Sequence, residues 1–253
     1  MSDHEGGHPS PPETWDAFFG DFYLRAFGDD EGQADEALAA ARLAACPQGG
    51  DLLDVPCGFG RHAVPLARGG YRAVGIDRSQ TLLAEARRRA GGERWPELVH
   101  GDYRELPFAG ESFDAAINLF SSLGYLGDEA DVEVLSQIRR VLRPGGRLVI
   151  ETMHRDLAVR RFAESNWRLL REGRLLLEHR TLDAVAGVVQ TTQTLIDKTG
   201  ERDSRTFSVR LYTATELVAM LARAGFEESK CYGGFDGSPF AVDTRLVIVA
   251  RRS

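Results

Sequence analysis

Residues able to do chemistry concentrate first in the stretch Asp54-Val-Pro-Cys57-Gly58-Phe-Gly60-Arg61-His-Ala63. It follows a short apolar run, Asp51-Leu-Leu-Asp-Val55, and opens a helical segment that ends at Gly69-Gly70. Glycines at such a turn let the backbone approach a ligand closely, and the first amides of the helix have no partners within it. Gly58-x-Gly60-x-x-Ala63 satisfies the dinucleotide fingerprint, so the turn alone does not separate NAD from other nucleoside ligands. Asp77, at the end of a second apolar run and followed by Arg78, can accept from both hydroxyls of a ribose. Dinucleotide enzymes use a carboxylate in the same way.

Two further carboxylates narrow the choice. Asp54 closes the first strand, where it would repel a pyrophosphate but help to hold a cation. Gly101-Asp102-Tyr103 follows a third short run, Leu98-Val-His100, and Asp102 there can accept from an adenine amino group. An adenosine carrying a sulfonium and an amino acid suits this set. A pyrophosphate suits it poorly.

These residues need a frame, and the patterning supplies one. Strands are expected at 51–55, 72–76, 98–100, 113–119 and 147–151, with helices at 34–46, 61–68 and 79–90 and a further one through Val132, Leu135, Ile138 and Val141. Strand followed by helix, repeated, predicts an α/β fold with a parallel sheet and crossover helices on both faces. After Asn166 the period changes. Segments 174–182, 188–196 and 205–212 alternate and are separated by turn residues, which predicts antiparallel hairpins inserted at about 168–212. In the last of them Phe207, Val209 and Leu211 share one face, and Ser208, Arg210 and Tyr212 the other. That polar face is expected to line a wet cavity beneath a lid. Thr213-x-x-Glu216 has capping-box spacing and starts a last helix, followed by two strands, 226–232 and 246–250. One domain, 14–253, is expected behind a flexible tail, 1–13; His4 and His8 give the tail only a weak metal-binding look.

Jointly, Asp54-x-x-Cys57-Gly58-x-Gly60, Asp77, Gly101-Asp102 and Leu142-Arg-Pro-Gly-Gly146 resemble the class I S-adenosylmethionine-dependent methyltransferases over roughly residues 14–253. The resemblance implies a Rossmann-like, doubly wound, seven-stranded sheet whose last strand is antiparallel. It implies S-adenosyl-L-methionine as cofactor, with Gly58 and Gly60 along the methionine portion, Asp77 on the ribose and Asp102 with Tyr103 on the adenine. Asp54, Cys57, Arg61, Arg78, Gly101, Asn118 and Leu119 complete the expected cofactor set, Arg61 as a partner for the cofactor carboxylate. The aromatic segment from Trp15 to Tyr23 is similar to the N-terminal helix that covers the cofactor in many members, which adds Tyr23.

A sulfonium methyl is already activated, so positioning matters more than a fixed triad. Acceptor residues are expected at the carboxyl ends of the fourth and fifth strands and on the insertion. His154 is the candidate base, since a neutral imidazole near pH 7 readily takes a proton. Tyr125, Arg210 and Tyr212 follow as catalytic candidates, and Cys57 is read as small and buried. The run Phe120-Ser-Ser-Leu-Gly-Tyr125-Leu resembles bacterial deoxyaminosugar N,N-dimethyltransferases, as does the Gly233-Gly234 turn. A small-molecule acceptor methylated on N or O follows as the expectation. The alternatives are a nucleic-acid methyltransferase on the same fold and an NAD-dependent oxidoreductase.

Composition sets the outer bounds. The chain has 253 residues and a formal charge of −7, which argues against a nucleic-acid partner. Its longest apolar run, Leu217 to Ala222, is far short of a membrane span, and Cys46, Cys57 and Cys231 lack metal-ligand spacing. A cytoplasmic enzyme with no metal and no membrane partner is expected, as monomer or homodimer.

Overall fold

The computed structural model describes residues 12–28 and 34–253, so the expected tail, but for its last two residues, lies outside the described residues. Seven strands form one sheet in the order β10-β11-β5-β4-β1-β2-β3. They are β1 (Asp51–Asp54), β2 (Arg72–Asp77), β3 (Glu97–His100), β4 (Phe113–Asn118), β5 (Leu142–Thr152), β10 (Glu228–Tyr232) and β11 (Leu246–Arg251). The first five pair in parallel, whereas β11 runs antiparallel to both β5 and β10. This is the mostly parallel sheet expected, with the last strand reversed.

Alternation along the central strands divides the core in two. Leu53, Ala116, Leu148, Ile150 and Ile248 face one layer, while Leu52, Ile117, Val149 and Val247 face the other. Helix α6 (Asp128–Val141) lays Val134, Leu135 and Ile138 on the first layer, beside Leu217 and Leu221 of α8 (Ala214–Arg223). On the opposite side α3 (Ala34–Leu43) offers Ala37, Ala40 and Ala41, small residues that permit close approach to the sheet. Helix α4 (Ala63–Arg68) adds Leu66 to the same layer, and α5 (Gln80–Ala90) buries Leu82, Leu83 and Ala86. Strand order reverses between β1 and β4, so their carboxyl ends flank the crevice where ligands bind open α/β sheets.

The insertion is a separate antiparallel sheet of four strands, β6 (Ser165–Leu169), β7 (Leu175–Asp183), β8 (Val188–Ile196) and β9 (Arg202–Arg210). It begins earlier than expected, because every residue of edge strand β6 is exposed and the strand shows no alternation. The six-residue helix α7 (Arg155–Arg160), with only Leu157 buried, also carries too little pattern to be legible. The aromatic N-terminal segment is two short helices, α1 (Pro12–Phe18) and α2 (Asp21–Phe27), broken at Gly20. Phe18 and Phe22 pack with Phe207, Leu176 and Leu195 of the insertion. N-terminal helices and inserted sheet therefore form one apolar unit above the crevice.

Candidate active site

A cavity of ≈ 620 Å³ opens at the carboxyl ends of β1, β2, β4 and β5, beneath that unit. Its floor is the glycine turn. Gly58 lies on the cavity wall with φ +53°, and a Cβ there would meet nothing within 4 Å. Gly60, at φ +79°, does a different job: a Cβ would sit 3.0 Å from both Ala86 Cβ and Val64 Cγ2. It lets α5 pack against the turn and does not line the cavity.

Asp77 holds this floor in place. One carboxylate oxygen accepts from the Gly58 amide and the other from the Ser79 amide, both at 2.8 Å. Burial raises its pKa above the ordinary carboxylate value, although those two amides pull the other way. Arg78, Cys57, Arg61, Tyr103, Leu119 and Tyr23 also reach the wall, as the sequence suggested. The Arg61 guanidinium lies 4.0 Å from the ring centre of Phe120 and 5.0 Å from that of Phe59. Burial first, then the charges of Asp54 and Asp77, pushes the Cys57 thiol pKa well up, which disfavours the thiolate that a nucleophile needs.

Four expected cofactor residues besides Gly60 stand behind the wall instead of on it. Asp54 is fully buried under the turn, and neither carboxylate oxygen makes a hydrogen bond. Burial raises its pKa strongly; the facing Ala63 amide opposes the rise and the Asp77 charge adds to it. Asn118 Nδ2 donates to the Val55 carbonyl at 2.7 Å, tying the end of β4 to the start of the turn. Gly101 is held close by Ile76, and Asp102 is engaged by Arg104 at 2.6 Å. Burial would raise the Asp102 pKa, but the Arg104 side chain and amide outweigh it and hold the carboxyl below its usual value.

The expected catalytic set needs correcting. Tyr125 is on the cavity wall, ring to ring with Phe19 at 5.3 Å. His154 is not. It is completely buried as the residue preceding α7, its Nε2 3.1 Å from the Thr244 carbonyl and its ring against Phe240. The chain turns away after β5, so a residue two beyond the strand packs under the loop before β11. Arg210 and Tyr212 are also withdrawn. Arg210 is tied to Glu216 at 2.5 Å and Asp128 at 3.3 Å, and the Tyr212 hydroxyl donates to Asp131 Oδ2 at 2.7 Å. From the insertion it is apolar Phe207, with Gln193 of β8, that meets the cavity, so the expected polar lining is reversed. Arg210 and Tyr212 have better partners in α6 and α8 than solvent.

The residue missed is Glu151. It projects from β5 into the cavity, where burial raises its pKa while Arg245, 3.9 Å away, and the Phe120 amide act against the rise. Its Oε2 accepts from the Phe120 amide at 2.9 Å, and its carbonyl accepts from the Ser121 amide at 3.1 Å. Phe120 and Ser121 both have positive φ, +62° and +55°, a conformation costly for residues with a Cβ and commonest at functional sites. The signal was present: Glu151 is the carboxylate at the end of the fifth strand. His62 also lines the cavity, and burial with the neighbouring Arg61 pushes its pKa down to about 3.

Residues 52–146 match the family model described as a methyltransferase domain. The chain is 37% identical over 113 residues to a demethylmenaquinone methyltransferase from Clavibacter sepedonicus, covering 45% of each chain. It is 35% identical over 127 residues to a dTDP-3-amino-3,6-dideoxy-alpha-D-glucopyranose N,N-dimethyltransferase from Streptomyces fradiae, covering 49% of this chain and 48% of that one. It thus spans about half the length of these two curated relatives. The solved structure of S-adenosylmethionine-bound CalS10, an amino pentose methyltransferase from Micromonospora echinaspora, matches over 99% of this chain and 100% of that one, with 27% identity and a TM-score of 0.71.

With the glycine turn and the sheet order, these likenesses make the chain similar to the class I S-adenosylmethionine-dependent methyltransferases in its fold and over residues 52–146. Within that class its likeness extends to the sugar N-methyltransferases. The residues present fit the cofactor. Gly58 leaves an open cradle, the two oxygens of Asp54 lie buried beneath it without a hydrogen-bond partner, and two donors on the wall, Trp15 Nε1 and Arg78 Nη1, are likewise buried without one. A ligand with a cationic centre and a carboxylate answers all three.

Proposed function

We propose that the chain moves a methyl group by in-line displacement to a nitrogen or oxygen of a small molecule, with Glu151 receiving the acceptor's proton. One observation carries this reading. The glycine turn suited to the cofactor and the Glu151 carboxylate open into one roofed cavity of a size that small ligands fill. S-Adenosylmethionine, when bound, supplies a methyl group already activated by its sulfonium.

The rest is work for the chain. Gly58 and Asp77 hold the nucleoside side of the cavity, with Tyr103 at its far wall. Trp15, Phe18, Phe19 and Tyr23 close the roof and exclude water, which strengthens every charge inside. Glu151 stands where an acceptor would enter and draws off a proton, a contribution typically of ~10²–10⁴-fold. An amine held first as ammonium suits a buried carboxylate, and two of the relatives named above carry amino sugars in their names. The charge of −7 supports a small acceptor over a nucleic acid. Among the described residues no helix is long and apolar enough to cross a membrane.

Thermal unfolding with S-adenosylhomocysteine, and with NAD in parallel, tests the cofactor side. At 100 times its dissociation constant the adenosyl compound should add ~2.7 kcal/mol, raising the melting temperature by roughly 5–10 °C, and Asp77→Ala should abolish the shift. A shift with NAD alone would replace the methyltransferase reading by an oxidoreductase one.

A further inference from the structure

Beside the main cavity lies a second, of ≈ 310 Å³, between α7, the inner face of the inserted sheet and α8. The two share Ser121, Tyr125, Met153, Leu157 and Arg161, so they adjoin at the same end of β5 that carries Glu151. Leu123, Ala158, Phe162, Val189, Val209 and Leu217 give the second cavity a largely apolar wall. Its largest polar side chains are engaged with one another or with neighbours. Arg210 is tied to Glu216 and Asp128, the Tyr212 hydroxyl is given to Asp131, and Arg180 pairs with Glu178 at 2.6 Å. An apolar space of this kind holds water poorly and favours an apolar guest.

We propose that this second cavity is a subsite for an apolar limb of the methyl acceptor, so that the acceptor is an amine or alcohol bearing an alkyl or aryl group of several carbons. The inference rests on the methyltransferase reading above. Tyr125 and Leu157 line both cavities, so an acceptor whose reacting atom lies near Glu151 can extend past them into the second.

The test is calorimetric titration of the full chain, saturated with S-adenosylhomocysteine, with n-alkylamines from ethylamine to octylamine and with glucosamine as a polar control. Each added methylene should tighten binding about fourfold until the subsite is full, and glucosamine should bind no better than ethylamine. Ala158→Leu on α7 and Val189→Leu on β8 fill the cavity from opposite walls, and each should flatten the chain-length dependence at least tenfold for octylamine. Their affinity for S-adenosylhomocysteine verifies that they are folded. Failure of the parent chain to bind S-adenosylhomocysteine would overturn the methyltransferase reading and this one with it. Tight S-adenosylhomocysteine binding with no dependence on chain length, or dependence unaffected by both variants, would overturn the subsite alone.

Discussion

At the scale of single residues, Glu151 is the proposed base in place of the expected His154. Position decides between them. Glu151 is the last residue but one of a strand that points at the crevice, whereas His154 has already turned beneath the loop before β11. Burial raises the Glu151 pKa, so its useful, ionised form is lost on acidification at higher pH than for an ordinary carboxylate. kcat/KM should therefore fall as pH drops, with an acid limb above the usual value of 4.5. Glu151→Gln keeps an acceptor for the Phe120 amide but no base. Turnover should drop ~10²–10⁴-fold and the acid limb should vanish, as read by production of S-adenosylhomocysteine across pH. Turnover of the Gln variant with an unaltered acid limb would remove Glu151 from the mechanism.

At the scale of elements, one turn contains two glycines with different reasons to be glycine. Gly60 makes room for α5, so Gly60→Ala meets both a left-handed backbone and a collision with Ala86 and Val64. A loss of roughly 2–4 kcal/mol is expected from the conformational and overpacking costs together. Gly58→Ala has space around its Cβ and should lose only roughly 1–2 kcal/mol from the backbone, while projecting a methyl group into the cofactor cradle. Denaturant unfolding and titration with S-adenosylhomocysteine should thus rank the two variants oppositely: Gly60→Ala less stable, Gly58→Ala weaker in binding. Equal effects in both assays would mean that the turn acts as a single rigid unit.

Across the whole molecule, Asp131 ties the inserted sheet to the main domain. From α6 it accepts the Tyr212 hydroxyl at 2.7 Å and the Gly124 amide at 3.0 Å. Burial raises its pKa from 3.8 to about 6, against the pull of those two donors. The folded chain therefore holds this proton more tightly than the unfolded chain. The stabilisation is fully present below the unfolded pKa and is lost as pH rises through about 6, a change on the order of 3 kcal/mol between pH 4 and 7. Asp131→Asn retains an acceptor for both donors and removes the titration. Relative to the variant, the parent chain should lose stability by that amount as pH is raised from 4 to 7, measured by denaturant unfolding at each pH. A constant difference would show that Asp131 is ordinarily ionised in the fold.

The sequence by itself determined the sheet, the turn and the class of cofactor, because these rest on local signals. Apolar runs of four to six residues, glycines after the first strand and a carboxylate after the second depend on neighbours in the chain. Strand β6 and helix α7 escaped because one is wholly exposed and the other buries a single leucine, leaving no period to read. The cofactor side of the site was legible to the same degree: Gly58, Asp77 and Tyr103 reach the cavity, whereas Asp54 and Asn118 brace it from behind. Tertiary structure alone decided the acceptor side. Whether Arg210 and Tyr212 face solvent or a partner depends on Asp128, Asp131 and Glu216, which lie on other elements and are far away in the chain or across a turn. Which of Glu151 and His154 faces the substrate depends on where the backbone turns after β5, and that is fixed by packing against the loop before β11.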